Sequence, residues 1–162
     1  RLETDAAGAA TAVSLVRRLM PRLESFRARV AADLRETRYV ETLMGKRRAL
    51  PKILSTDRKK VSRAERQALN TLCQGSAADL VKVAMAECVG RFAQIPDPRD
   101  RPRLVLQLHD ELVFEVPERR VAATAAAVKD VLEVAVTLDD VRTEARIATG
   151  ANWADLAPYP PG

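Results

Sequence analysis

His109, Asp110 and Glu111 stand between two apolar runs, Leu104–Leu108 and Leu112–Val116, and include the chain's single histidine. Two adjacent carboxylates on a rigid apex suit a hard divalent cation such as Mg²⁺, which takes one or two carboxylates plus water and phosphate oxygens. A polar hairpin tip in water has the same composition, so the tripeptide needs a second signal. Arg66, Asn70 and Gln74 supply it, since a spacing of four lines them along one helix edge about 6 Å apart. Steps of three and four carry that edge on through Ala77, Val81, Ala84 and Cys88. The stripe is polar in its first half and apolar in its second, unlike a plain solvent face or a plain core face. Guanidinium and amide groups offer several hydrogen-bond donors on a semi-rigid plane. In the DNA minor groove every pair presents purine N3 or pyrimidine O2 acceptors at nearly invariant positions. A row of donors can therefore hold a paired duplex without reading its sequence.

The charge distribution points the same way. The chain has 162 residues and a net charge of +5. Between Lys46 and Arg66, Lys46, Arg47, Arg48, Lys52, Arg58, Lys59, Lys60, Arg63 and Arg66 are opposed only by Asp57 and Glu65, a local charge of +7. The rest of the chain is then slightly acidic, and such a basic stripe suits a polyphosphate partner. With 47% hydrophobic and 30% charged residues, the composition is that of a folded domain with a real core. No apolar run approaches the roughly 20 residues of a membrane span, so no membrane partner is expected. Cys73 and Cys88 lie too far apart along one helix to bond, and fit core packing in a reducing intracellular setting. The chain opens on Arg1 rather than Met and reads as a piece of a longer protein.

The elements that must position these residues follow from periodicity. Thr4 and Asp5 can cap a first helix, and Val13, Val16, Leu19, Leu23, Phe26, Val30 and Leu34 recur as one helical face. Pro21 removes a donor inside that pattern, which predicts two helices or a kink in this lead-in over 1–38. "YVETLMGKRRALP", Tyr39–Pro51, predicts a hairpin turning at Met44-Gly45 with a basic return arm. Lys52–Val61 reads as a mobile cationic loop. Ser62 and Glu65 form a capping box, which predicts a helix over 62–92. Gly90–Arg103 is a surface connection, and a helix over 118–138 places Val121, Ala125, Val128, Leu132 and Ala135 inward. The alternation of Val141–Ala148 predicts a strand, and the tail over 149–162 ends in a loose proline-rich segment. The fold class is α+β: a small antiparallel sheet with helices packed on one side.

For the apolar pair, a three-residue apex places Leu104 opposite Val116, Leu106 opposite Phe114 and Leu108 opposite Leu112, all on one face. Val105, Gln107, Val113 and Glu115 take the other, whereas a two-residue loop would mix the sets. Tight turns favour glycine or asparagine, which tolerate positive φ, and neither is present at His109-Asp110-Glu111. A local rule broken at one place is where function is worth suspecting.

Together these segments resemble family A DNA polymerases, the group that includes bacterial DNA polymerase I. "AERQALNTLCQGSAADLVK", Ala64–Lys82, is similar to the family's palm-side helix that tracks the primer–template minor groove, and "LQLHDELVFEV", Leu106–Val116, to its third catalytic motif. Tyr39–Pro51 matches the hairpin before that helix, and "GANWADL", Gly150–Leu156, the closing segment. The matches run in the family's order from about Tyr39 onward, so 104–148 would be palm hairpin, helix and strand. Within the family the wording is nearest to the theta branch. Bacterial members usually have proline where Leu72 stands. The resemblance implies that Asp110 coordinates catalytic metal, with Glu111 supporting the site and His109 near the primer terminus. It also implies minor-groove contacts from Arg66, Asn70 and Gln74. Arg47 and Arg48, where the family also has basic residues, are read as further DNA contacts.

The implied reaction is template-directed nucleotidyl transfer to a primer 3′ end with two Mg²⁺ ions, in DNA repair or replication. Its partners would be primer–template DNA, deoxynucleoside triphosphates and the rest of the polymerase chain, in the nucleus for a theta-like member. No "DxSxxExR"-like segment supplies the other aspartate, and no nucleotide-gripping helix is found, so the piece alone is expected to be inactive. Asp79 falls on the core-facing half of its helix and reads as structural. Two rival readings are a non-catalytic basic DNA-binding module, which would ignore metal, and a metal-dependent hydrolase built on His109. The hydrolase lacks the spaced ligands such sites use.

Overall fold

The computed structural model describes residues 5–134 and 143–159. Two compact units follow one another, residues 1–76 and 77–162, and each is described by itself.

In the first unit, Asp5 caps α1 (Ala6–Leu19) by accepting from the Gly8 amide at 2.7 Å; Thr4 lies outside the described residues. Pro21 ends the first run and opens α2 (Pro21–Thr37), where its missing donor costs nothing at a helix's first position. The helix stops at Arg38, which takes the left-handed conformation with φ 63° usually left to glycine. β1 (Tyr39–Glu41) and β2 (Arg47–Ala49) pair antiparallel as expected, turning through Gly45 at φ 81°. Only the C-terminal half of the long apolar stripe is buried in this unit. Val30 and Leu34 join Val40, Leu50, Ile53, Ala64 and Ala68 in the core, while Val13, Val16, Leu19 and Leu23 are exposed.

The segment expected to be a mobile loop is instead structured. Pro51–Leu54 forms a 3₁₀ turn that buries Ile53, and α3 (Arg58–Asn70) starts a turn before the Ser62 capping box. Asp57 is the cap, its carboxylate accepting from the Lys59 amide at 2.8 Å. Aspartate caps as well as serine does, and the earlier start brings Val61 onto the core. Glu65, released from capping, pairs with Arg35 of α2 at 2.8 Å. The backbone then stays helical through a π segment, Thr71–Gly75, into α4 (Ser76–Ala93).

In the second unit, Ala84, Cys88 and Phe92 of α4 pack with Val128 and Val131 of α5 (Val121–Val134). A 3₁₀ turn, Glu118–Arg120, precedes α5, whose inner face carries Thr124 and Val131 besides the expected Ala125 and Val128. The expected Ala135 lies outside the described residues. Burial pushes the Cys88 thiol upward, as suits a packing residue rather than a nucleophile. β3 (Arg103–Leu108) and β4 (Glu111–Glu115) pair antiparallel, and Phe114 meets Phe92 edge to face at 5.8 Å.

Thr143 to Ile147 form no strand, against expectation; 141 and 142 lie outside the described residues. The Thr143 hydroxyl donates to the Leu132 carbonyl at 2.7 Å and the Ala145 amide to Glu133 at 3.1 Å, so these donors go to α5 rather than to a ladder. The tail is tied down through residue 159. β5 (Ala148–Thr149) pairs β6 (Ala157–Pro158), around a 3₁₀ turn capped by Asn152. A Cβ on Gly150 would come within 2.5 Å of the Asp155 carbonyl oxygen, so this turn requires glycine. The class is α+β as expected, its sheet structure among the described residues being three two-stranded antiparallel hairpins.

Candidate nucleic-acid interface

In the first unit a cleft of about 390 Å³ opens between the β1–β2 hairpin and the π segment. Lys46, Arg47 and Arg48 line it from the hairpin, and Asn70 and Gln74 from the helix. Four of the anticipated contact residues therefore meet in one place. Of the other two, Arg66 lies on a separate groove between α2 and α3, beside Arg27 and Glu65, and His109 belongs to the second unit.

The π segment borders this cleft. At its first residue the Thr71 hydroxyl donates to the Gln67 carbonyl at 2.7 Å, the same carbonyl that the Thr71 amide reaches. A π turn, in which amides reach one residue further back, is rare in proteins and is found frequently at functional sites. Leu72 falls inside this turn. Gly75 lets the hairpin approach: a Cβ there would lie 2.8 Å from the Thr42 methyl. The Leu43 amide donates to the buried Ser76 hydroxyl at 3.1 Å, and Arg48 Nη1 donates to the Thr71 hydroxyl at 3.0 Å.

Arg47 is held differently. Its Nε donates to Glu41 at 2.7 Å and its guanidinium lies 4.7 Å from the Tyr39 ring centre. The bond to Glu41, then the nearby Tyr39 and Glu41 charges, raise its pKa above the ordinary arginine value. An acid thus shares Arg47, which leaves Lys46 and Arg48 as the cleft's less encumbered cations. Thr71, Ser76 and Gly75 had no signal in the sequence, because their roles depend on a hairpin some thirty residues away.

The acidic tip belongs to the second unit. The strands pair Leu108 with Glu111, Gln107 with Leu112 and Leu106 with Val113, then Leu104 with Phe114 after a bulge at Val105. The loop is therefore the two residues His109 and Asp110, not three, and the apolar residues do not share one face. The bulge absorbs the extra residue that an unbroken ladder could not. His109 takes φ 56°, a strained angle for a side chain with a Cβ. Its carbonyl accepts from the Gln107 side-chain amide at 2.6 Å, and an Arg103–Glu115 ion pair closes the far end of the hairpin.

His109, Asp110 and Glu111 are all exposed. Among the described residues no three His, Cys, Asp or Glu side chains converge to hold a metal ion. The tip thus offers two adjacent carboxylates, a fit for part of a hard-cation shell whose other ligands are water and phosphate. Asp79 is buried and lies 3.9 Å from Lys82, in keeping with a structural role. No helix among the described residues is long and apolar enough to cross a membrane.

The profile of DNA polymerase family A matches residues 1–155, and the chain belongs to that family. It is 40% identical over 135 residues to a thermostable DNA polymerase I of Thermus filiformis, covering 83% of this chain and 16% of that protein. To DNA polymerase I of Treponema pallidum it is 42% identical over 140 residues, covering 84% of this chain and 13% of that one. Among solved structures it resembles the POL domain of Pol1 from M. smegmatis, in complex with DNA primer-template and dNTP. The TM-score is 0.78 and the identity 34%, over 88% of this chain and 24% of that one. The chain thus spans about a sixth or less of the length of these curated relatives.

Proposed function

We propose that this chain is the primer–template-gripping and acidic-hairpin part of a DNA-directed DNA polymerase that adds deoxynucleotides to a primer 3′ end. The observation that carries the reading is the cleft, where the amides of Asn70 and Gln74 stand beside Lys46, Arg47 and Arg48. Amides suit the acceptors of a minor groove and cations suit phosphates, so one cleft holds both chemistries of duplex binding. The primer-template and dNTP bound by the M. smegmatis relative support the same partners here.

In this reading Asn70 and Gln74 donate to groove acceptors, with Arg66 extending the row one turn away, while the hairpin cations neutralise backbone phosphates. His109 would lie near the primer terminus, and Asp110, supported by Glu111, would hold catalytic Mg²⁺. Two such ions, when bound in the complete site, lower the charge cost of in-line attack by the primer hydroxyl on the α-phosphate. Asp110 and Glu111 furnish one side of that shell, and its other carboxylates come from elsewhere in the polymerase. The isolated 162-residue chain accordingly gives no primer extension with Mg²⁺, and robust extension by it would overturn this division of the site.

Gln74→Ala or Arg66→Ala in the complete enzyme should weaken primer–template binding by about 1 kcal/mol, roughly fivefold, as loss of one hydrogen-bonding side chain does. Discrimination against mispaired ends should fall with it, measured as extension of matched against mismatched primers. Unchanged affinity and discrimination in both variants would rule out groove contact. The theta branch, with its repair role and nuclear location, rests on the wording of Glu65–Lys82 and Leu104–Val116. Placement of the full polymerase domain among bacterial enzymes in a phylogeny would remove all three.

A further inference from the structure

We propose that Thr71 is a positioning residue, whose hydroxyl fixes the Arg48 guanidinium to the π segment so that the hairpin's cation and the helix's amides meet DNA as one rigid unit. The inference rests on the reading of this cleft as a duplex-binding surface, and adds a residue that touches no DNA in that reading. Thr71 is buried, 8% exposed, and its single oxygen does two things. It donates to the Gln67 carbonyl at 2.7 Å and accepts from Arg48 Nη1 at 3.0 Å. The first bond anchors the hydroxyl on the helix just before the π segment that carries Gln74; the second ties down one end of an exposed cation on the opposite cleft wall.

Two further contacts hold the same walls together: the Leu43 amide on the Ser76 hydroxyl, and the close approach of Thr42 to Gly75. Neither engages a charge. Thr71 links the backbone that presents the amides to a guanidinium. An arginine held at one end keeps its other donors on the cleft and loses less side-chain freedom when a phosphate arrives. A free arginine must be ordered at that moment, so its phosphate contact is weaker and more easily displaced by salt.

The test uses the complete polymerase and measures primer–template affinity across a salt series, with metal chelated so that no chemistry intervenes. Arg48→Ala should reduce the slope of log K against log salt by about 0.9, the loss of one phosphate contact. Thr71→Val, close to isosteric but without the hydroxyl, should reduce it by part of that amount. Thr71→Ser should restore the wild-type slope, and the Arg48→Ala/Thr71→Val double variant should match Arg48→Ala alone. If Thr71→Val fails to fold, Thr71→Ala takes its place in every arm.

A Thr71 variant that costs as much in the Arg48→Ala background as in the wild type acts on packing, and overturns the proposal. So does a Thr71→Val variant whose slope equals the wild type's. If Arg48→Ala itself leaves a steep wild-type slope intact, the Thr71 inference falls while the duplex-binding reading stands. If the wild type binds primer–template without salt dependence, the reading of the cleft falls first.

Discussion

Asp110→Asn in the complete polymerase should slow nucleotide addition about a thousandfold while primer–template affinity stays within about twofold. The size follows from the role proposed. Removing a charged ligand from a catalytic cation forfeits several kcal/mol of transition-state stabilisation, and about 4 kcal/mol is a factor of about a thousand. The selectivity follows from the structure. Asp110 occupies the second position of a two-residue turn, where asparagine is as well suited as aspartate, so the hairpin should keep its shape. The Gln107–His109 bond and the Arg103–Glu115 pair are untouched by the change. Single-turnover extension beside equilibrium DNA binding separates the two quantities. An unchanged rate with weakened affinity would assign Asp110 to DNA contact and remove it from the metal site.

Leu34→Ala should cost the first unit about 3 kcal/mol, within the roughly 2–5 kcal/mol span of buried leucine truncations. Leu34 is fully buried, among Val30, Val40, Leu50, Ile53, Ala64 and Ala68, which come from α2, the hairpin, the 3₁₀ turn and α3. Its loss therefore leaves a cavity where every element framing the cleft meets. A core this small holds only a few kcal/mol in reserve, so the variant should be largely unfolded near body temperature. The control is Leu23→Ala, eleven residues earlier on the same stripe. Leu23 is 42% exposed, and in the 162-residue chain its truncation should change stability by less than about 0.5 kcal/mol. Urea unfolding of both variants checks the contrast. Equal losses would mean that the first half of the stripe is packed in solution.

That pair of leucines shows how far periodicity reaches. Val13 to Leu34 recur with a helical spacing, and both α1 and α2 form, divided at Pro21 as the missing donor requires. Spacing says which residues share a face, not whether anything covers it, since coverage is set by residues distant in the chain. The basic hairpin was equally legible, because Gly45 marks its turn and the strands are adjacent. Asp57 was not read as a cap, because a serine five residues further on offered the more familiar pattern. What decided between them was Val61 and Ile53 reaching the core, which is a tertiary event.

The acidic hairpin divides in the same way. Its two strands and its strained apex were visible from apolar runs flanking residues unsuited to positive φ, and His109 does take φ 56°. The bulge at Val105 was not visible, because a ladder shifts by one residue for reasons of twist and packing that no local pattern records. The strand expected over 141–148 does not form at Thr143 to Ile147, because Thr143 and Ala145 found partners on α5, close in space but outside any strand.

Residue types and spacing by themselves determined the family resemblance, the helices, two hairpins and the candidate donors, since these depend on neighbours a few positions apart. Only the tertiary structure decided that Asn70 and Gln74 share a cleft with Lys46, Arg47 and Arg48 while Arg66 lines another groove. The same is true of the Thr71–Arg48 bond across it. The physical reason is that a hydrogen bond between residues twenty-three positions apart exists only after a hairpin has folded back on a helix, and that return depends on the whole core beneath it.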